Sequence, residues 1–415
     1  MALKYLFVVI LFGVFYSYAM FQGGFVSWFL FYSFLPLVIY MFLLLAYPIS
    51  NWHVSRSLSK QVVQAGDQVK IELEINRKFG FPLYYLVVEE FFPSSLQQKH
   101  VTRKNYQFLN EPQALTLKRQ VKKVTFPWFK RTIRFQYSLT DLPRGEHRLR
   151  ALRVKTGDFF GFIKKEYVYE VNNYILVYPP KRKVLVKEKV NSFDEGASPT
   201  FQVNMKNSNI VSGIREYMPG DRFSWIDWKA TARKNTVMTK EFEQEKSSSM
   251  LLLLDATDYQ GINKIGFEAS VELTCSILES YRKRTAQLAF ISLGEEQVFF
   301  PLNQNPGKDS LIMSFLATVQ PGGNTAFPQL LMEQSKRIPN GLVIMLVTTN
   351  VSQSVKQSID QLRQKSKRVM IYLIKPKNQL LDADNRLIQQ MKVEGTQVNV
   401  LTEEQLIKQE FEVNM

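Results

Sequence analysis

Cysteine is almost absent. One thiol, Cys275, in 415 residues excludes an intramolecular disulfide and any site built from several thiolates. It also suits a reducing compartment. Histidine is nearly as scarce, with only His53, His100 and His147, and none stands at metal-ligand spacing from another, so a zinc centre is excluded. Charge is missing from two long stretches near the start. Tyr5–Phe21 and Phe25–Tyr47 carry none over 17 and 23 residues. A glycine-rich dinucleotide fingerprint and a P-loop are also lacking, which removes the commonest nucleotide-binding solutions.

The two uncharged stretches are what is there in place of polar surface. A run of about 20 apolar residues crosses the hydrocarbon as a helix because all its backbone polar groups are satisfied internally. Gln22-Gly23-Gly24 joins the two runs, so residues 1–50 read as a transmembrane hairpin with spans of about 5–21 and 25–47. No small-residue cleavage site followed by a polar mature start supports a signal peptide. Lys4 precedes the hairpin and His53, Arg56 and Lys60 follow it, while the connecting turn is uncharged. The positive-inside rule then puts both ends, and the rest of the chain, in the cytoplasm. The formal net charge of +16 fits a surface beside an anionic leaflet.

From 55 to 180 the period becomes two. Val69–Ile75 alternates apolar and charged residues, as a strand with one buried face requires. Further strands are expected at 84–90, 114–121, 132–139 and 147–154. This spacing predicts a β-sandwich of the immunoglobulin or fibronectin kind. Within it, Lys118, Arg119, Lys122, Lys123, Lys130, Arg131 and Arg134 interleave with Phe126, Trp128 and Phe129. Such a mixture suits nucleic acid. No nucleic-acid motif accompanies it, and a solvated strand face beside the membrane is the favoured reading. Residues 181–210 read as a linker.

Residues 211–415 form the next unit, and it opens on a dense motif, GIREYMPGDRFSWIDWKATARKNTVMTKEFEQE. Asp221, after Pro219-Gly220, is expected to cap a helix of about 222–232 whose packed face carries Trp225, Trp228 and Ala232. Arg215, Glu216, Asp221, Asp227, Lys229, Arg233 and Lys240 are numerous enough for a paired network. A hydrolase using Asp221 or Asp227 is an alternative, although no Ser, His or Cys nucleophile accompanies them. Strands then alternate with helices. Apolar strands at 250–254, 286–292, 342–347, 368–374 and 397–401, with a hairpin partner at 297–302, predict an α/β doubly wound sheet with one antiparallel edge. Ligands of such sheets gather at the carboxyl ends of the strands, where Asp255, Thr257, Thr325 and the Thr348-Thr349-Asn350 loop are expected. A carboxylate with hydroxyls from separate loops is hard-cation chemistry of the Mg²⁺ kind.

The motif resembles the signature of the DUF58 family of bacterial membrane proteins. The resemblance rests on Arg215-Glu216-Tyr217, Pro219-Gly220-Asp221, Ile226–Ala230 (with Asp227, Trp228 and Lys229), Ala232-Arg233 and Lys240-Glu241-Phe242-Glu243. The segment TGDFFGF, at 156–162, is similar to that family's TGDPFG. The resemblance implies a bacterial cell-membrane protein with a von Willebrand factor A-like (Rossmann-like) domain after a β-sandwich. It further implies a MoxR-type AAA+ ATPase and transglutaminase-like membrane proteins as partners. Von Willebrand A domains bind metal through Asp-x-Ser-x-Ser, a second-loop threonine and a third-loop aspartate. Asp255, Thr257 and Thr325 match the first, second and fourth of these. Tyr259 replaces the second serine, and the third loop lacks its aspartate. The expected role is a membrane-anchored, non-enzymatic scaffold or adaptor whose A-like domain binds a protein partner.

Overall fold

Each uncharged run becomes a helix in the computed structural model: α1 (Ala2–Gln22) and α2 (Phe25–Ala46). The structure describes the chain except residues 1, 112–114, 188–209, 219–220, 222, 244–249, 260–261, 283–287, 302–305 and 415. At 1.5 Å per residue each helix is about 32 Å long, close to the thickness of a bilayer's hydrocarbon core. Both are long and apolar enough to cross a membrane. Gly23, in the left-handed region at φ 59°, makes the reversal between them.

The chain divides into two compact units. The first contains the helical pair and eight strands. These are β1 (His53–Leu58), β2 (Val62–Gln64), β3 (Val69–Asn76), β4 (Tyr85–Glu90), β5 (Lys122–Thr125), β6 (Thr132–Leu139), β7 (Gly145–Gly157) and β8 (Lys164–Tyr178). One sheet has the order β1-β3-β6 and the other β2-β8-β7-β4-β5. Alternation makes their apolar faces. Ile71 and Val69 of β3 share a buried cluster with Leu149 of β7 and Ile175 and Val177 of β8. Leu73, Ile75 and Phe135 share another with Leu86, Leu152 and Val154, which also takes in Met41, Leu44 and Leu45 of α2. The strand expected at 114–121 forms at Lys122–Thr125 instead, pairing with β4. Arg119 explains part of that shift. Its guanidinium donates to the carbonyls of Leu96, Thr140 and Asp141, which fixes the preceding segment as a loop.

The second unit begins with β9 (Val184–Lys187), so the segment read as a linker is a strand at its start. The rest of that linker, 188–209, lies outside the described residues. Next come β10 (Ile210–Glu216), α3 (Trp228–Lys234) and β11 (Met238–Glu243), with β10 and β11 paired antiparallel. The main sheet then uses β12 (Met250–Ala256), β13 (Leu288–Gly294), β14 (Val298–Phe300), β15 (Val343–Thr348), β16 (Arg368–Ile374) and β17 (Gln397–Leu401). Its order is β14-β13-β12-β15-β16-β17, and all pairs are parallel except β13 with β14. Between the strands in sequence run α4 (Lys264–Arg282), α5 (Pro306–Thr318), whose residues from Met313 onward belong to the first unit, α6 (Phe327–Arg337), α7 (Gln353–Lys365) and α8 (Asp382–Val393).

Both faces of the sheet are buried, which is why its strands read as unbroken apolar runs. Leu251, Leu253, Ile344, Leu346 and Ile371 pack with Leu330, Leu331, Ile359, Leu362 and Ile388 of α6, α7 and α8. Leu252, Leu254, Met345 and Tyr372 project oppositely and are also buried; α4 lies against this face. The unit closes with α9 (Glu403–Leu406) and β18 (Phe411–Asn414), which pairs parallel with β9.

Arg182 fastens that closure. Its guanidinium meets both carboxylate oxygens of Glu272 on α4, at 2.7 and 3.0 Å, and donates to the carbonyls of Leu406 and Lys408. It also lies 3.8 Å from the Phe411 ring centroid. Tyr106, fully buried, donates to the same Glu272 at 2.5 Å, and burial beside that carboxylate raises its hydroxyl pKa well above the usual tyrosine value.

Candidate functional site

Two places in the second unit gather the residues singled out by sequence: the motif hairpin and the ends of the central strands. In the motif, Asp221 does not cap a helix. Its carboxylate receives the Arg215 guanidinium at 2.7 Å and the Met218 amide at 3.0 Å. These bonds, Arg215 foremost, hold its pKa below the ordinary aspartate value. The cap is Asp227, whose Oδ1 accepts from the Lys229 and Ala230 amides at 3.1 and 3.0 Å. The helix therefore starts at Trp228, and Trp225 falls in a short 3-10 turn ahead of it. From the sequence the cap is assigned to Asp221, and Asp227 is not weighed for it. Asp227's backbone also bonds to β11, with its amide donating to the Met238 carbonyl at 2.8 Å.

The helix is consequently fixed by hydrogen bonds rather than by a packed stripe. Thr231 donates to the Asp227 carbonyl and accepts from the Met238 amide. Asn235, left-handed at φ 56°, ends it. Of the stripe expected to be packed, Trp228 is 70% exposed and Ala232 is exposed, while Trp225 is half-buried; Phe223 and Met218, outside that stripe, are also open. Ile226 and Met238 of the same motif are buried. Tyr217 is half-buried, its amide bonded to the Val237 carbonyl and its ring beside Phe223. Of the expected charged network, the Arg215–Asp221 pair forms, whereas Lys229 and Arg233 are exposed and Lys240 is half-buried. Pro219 and Gly220 lie outside the described residues, as does the side chain of Glu241.

At the strand ends, β12 delivers Asp255 into a buried position. One carboxylate oxygen accepts the Thr257 amide at 3.1 Å and the Thr257 hydroxyl at 2.7 Å. The other accepts the Thr348 hydroxyl at 2.6 Å. Burial outweighs these three donors and pushes the carboxyl up to about 6. Tyr259 bonds Thr349 at 2.8 Å, so the loops after β12 and β15 are joined twice. The Gly322 amide donates to the Ala256 carbonyl at 3.0 Å, bringing in the loop before α6. Thr348, expected at the strand ends with its loop, is the residue that bonds Asp255 there, in place of Thr325.

Of the residues expected at a cation site, Asp255 and Thr257 come together with Thr348, and Thr325 is exposed. A hard divalent cation asks for several oxygen ligands and usually more than one carboxylate. Here there is one carboxylate, with both oxygens already accepting hydroxyl hydrogens. Asp258 is exposed, and so is Thr325, which makes no hydrogen bond to Asp255 among the described residues. No group of three His, Cys, Asp or Glu side chains capable of holding a metal occurs among the described residues.

The site and fold thus define a mixed α/β protein with two apolar N-terminal helices, an Arg–Asp-braced hairpin and a hydroxyl-bonded aspartate at the sheet's centre. A model of the family described as "Protein of unknown function DUF58" matches residues 213–415. The "Uncharacterized protein YeaD" of Bacillus subtilis (strain 168) is 37% identical over 301 residues, covering 72% of this chain and 71% of that protein. The chain belongs to the DUF58 family. Among solved structures, similarity is faint. The PilB minor pilin from Streptococcus sanguinis aligns over 80% of this chain and 87% of its own at 8% identity, with a TM-score of 0.28. The CARDB domain of the PF1109 protein from Pyrococcus furiosus aligns over 31% and 92% at 11% identity, with a TM-score of 0.19. Scores this low carry no argument about fold or activity.

Proposed function

We propose that this protein is a membrane-anchored, non-enzymatic adaptor that presents an A-like domain to a cytoplasmic protein partner. The carrying observation is the exposure of Phe223, Trp228 and Met218 on a hairpin whose aspartates are both engaged internally. Clustered exposed aromatic and apolar groups on a hydrogen-bonded support suit protein recognition, where tryptophan is a favoured anchor. Asp221 and Asp227 brace this surface rather than converging as an acid–base pair, which favours the adaptor over a hydrolase.

The von Willebrand A-like assignment of residues 211–415 is supported by the strand order, with its single antiparallel edge, and by an aspartate and threonine at the end of the first parallel strand. The sandwich assignment of 55–180 is supported by two antiparallel-rich sheets sharing apolar clusters. The apolar helical pair and the basic residues flanking it support a hairpin anchor with both ends cytoplasmic. A MoxR-type AAA+ ATPase is the partner proposed, with transglutaminase-like membrane proteins in the same assembly.

Affinity purification of the full chain in detergent, after cross-linking in cells, tests this reading. Native protein should recover an AAA+ ATPase, and the double variant Phe223→Ser/Trp228→Ser should lose it while remaining in the membrane fraction. Equal recovery by both, or no ATPase with either, refutes the proposal. A reporter fused after Met415 checks the orientation, and an external C-terminus rules out a cytoplasmic partner.

A further inference from the structure

The segment TGDFFGF forms a built loop. Between β7 and β8, the buried carboxylate of Asp158 accepts from the amides of Phe160 and Ile163, at 3.1 and 2.5 Å. Ile163 turns inward and is fully buried, while Gly161 takes φ +78°. Gly157 is required because a Cβ there would stand 2.4 Å from the Ile163 carbonyl oxygen and 2.5 Å from the Tyr85 hydroxyl. The product of this construction is the outward display of Phe159, Phe160 and Phe162, each more than half exposed.

A second loop does the same. The Arg77 guanidinium is buried and donates to the carbonyls of Phe81, Trp128 and Lys130. It holds Trp128 in the left-handed region at φ 46°, and Phe126, Trp128 and Phe129 are left open to the outside. Ring contacts connect the two loops through Tyr84, which meets Phe126 at 5.7 Å and Phe159 at 4.8 Å. The series continues from Phe159 to Phe160 and Phe162, and ends on Phe7 of α1 at 5.7 Å. Tyr40 of α2 stacks on Phe81 at 5.7 Å and donates to the Pro82 carbonyl.

Depth follows from these contacts. Phe7 lies about 8 Å inside the start of α1 and Tyr40 about 9 Å before the end of α2, at 1.5 Å per residue. Loops that touch those residues share their level. Exposed basic side chains adjoin these rings in the sequence: Lys78, Lys123, Lys130, Arg131 and Lys164. Aromatic rings among lysines and arginines match the boundary between headgroups and acyl chains, with cations reaching outward to phosphates.

We propose that this aromatic loop rim is a second membrane-contacting element, seated in the anionic lipid leaflet at which the hairpin's two ends emerge. The proposal rests on the hairpin anchor described above. Seating fixes the tilt of the β-rich unit against the bilayer, so the hairpin and the rim hold it at more than one point. It also gives the basic cluster a ligand: lipid phosphate rather than the phosphates of a nucleic acid.

The test uses the full chain carrying Cys275→Ser, reconstituted in vesicles of phosphatidylcholine with or without phosphatidylglycerol. Nitroxide labels are attached at Phe160→Cys and separately at Phe129→Cys, so that one poorly folded variant does not decide the matter. Val14→Cys reports the hairpin, and Glu146→Cys, at the opposite end of β7, reports water. The rim labels should be relaxed by oxygen and shielded from a water-soluble nickel chelate, unlike the label at 146. Shielding should deepen with phosphatidylglycerol, and Lys130→Glu/Arg131→Glu should abolish that dependence. If the label at 14 is immersed while those at 129 and 160 are as open to nickel as that at 146, the rim proposal falls and the anchor stands. If the label at 14 is itself in water, the anchor reading falls and takes the rim with it. Shielded rim labels indifferent to phosphatidylglycerol refute the anionic part.

Discussion

Replacing Asp255 with asparagine should change how stability depends on pH, and the sign follows from the carboxyl's surroundings. An ordinary aspartate titrates near 3.8, and in the folded protein this one is raised to about 6 by burial. Below the unfolded value both states hold the proton and Asp255 contributes no pH dependence. Between the two values the folded state holds it and the unfolded state does not, so folding takes up a proton. Above the folded value the native protein carries a buried anion at a cost on the order of 3 kcal/mol, about two pH units at 1.36 kcal/mol each. That cost is relieved as pH falls through the folded value.

The native chain should therefore gain about 1.5 kcal/mol from this residue between about pH 7.5 and about pH 5. Asp255→Asn should lack that gain. The substituted amide keeps one acceptor for Thr257, and its NH₂ can donate to the Thr348 oxygen, so the fold is retained. Hydrogen–deuterium exchange of β12 and β15 amides, in detergent-solubilised full chain at several pH values, isolates the local opening free energy. Other carboxylates shift too, and Glu89 and Asp221 are lowered and work in the opposite direction, but they are common to both proteins and cancel in the difference. Identical pH dependence in the two proteins would refute the placement of a buried, raised carboxyl at this strand end.

Two further outcomes are expected. Arg182→Met strands the Glu272 carboxylate beneath Tyr106, which should cost about 3–5 kcal/mol and accelerate exchange in β9 and β18; Glu272→Gln added to it should recover part of the loss. Asp227→Ala removes the cap of α3 and should destabilise the motif hairpin by about 1 kcal/mol, whereas Asp227→Asn, which keeps an acceptor, should cost little. Exchange rates of the 228–235 amides distinguish the two variants.

Periodicity made much of the architecture legible. The uncharged runs, the alternation of β3 and the unbroken apolar strands of the main sheet each report a burial pattern that local sequence must satisfy. The hairpin partner expected at 297–302 forms as β14, antiparallel to β13. The site was less legible. The helix cap expected at Asp221 falls at Asp227, whose amide is also tied to the Met238 carbonyl of β11. The basic cluster also dissolved in part. Arg119 is bonded to loop carbonyls, Arg134 pairs with Glu74 and Lys122 with Glu89, leaving the residues beside the aromatic loops as an outward-facing set.

The sequence by itself determined that this chain begins with two bilayer-length apolar helices, continues through period-two strands and ends in alternating strands and helices. It also determined family membership, since the motif is a local string. Only the tertiary structure decided which of those residues face outward. Trp228 is expected on the packed face of a helix, and Phe223, Phe159, Phe160 and Phe162 are large apolar side chains whose burial the sequence leaves open. All five are exposed: hydrogen bonds to Asp227 fix the start of the helix that carries Trp228, and those to Asp158 fix the loop that carries Phe159, Phe160 and Phe162. Burial is a property of what surrounds a side chain, and for these rings that environment is set by groups distant in sequence or by backbone geometry that composition does not encode.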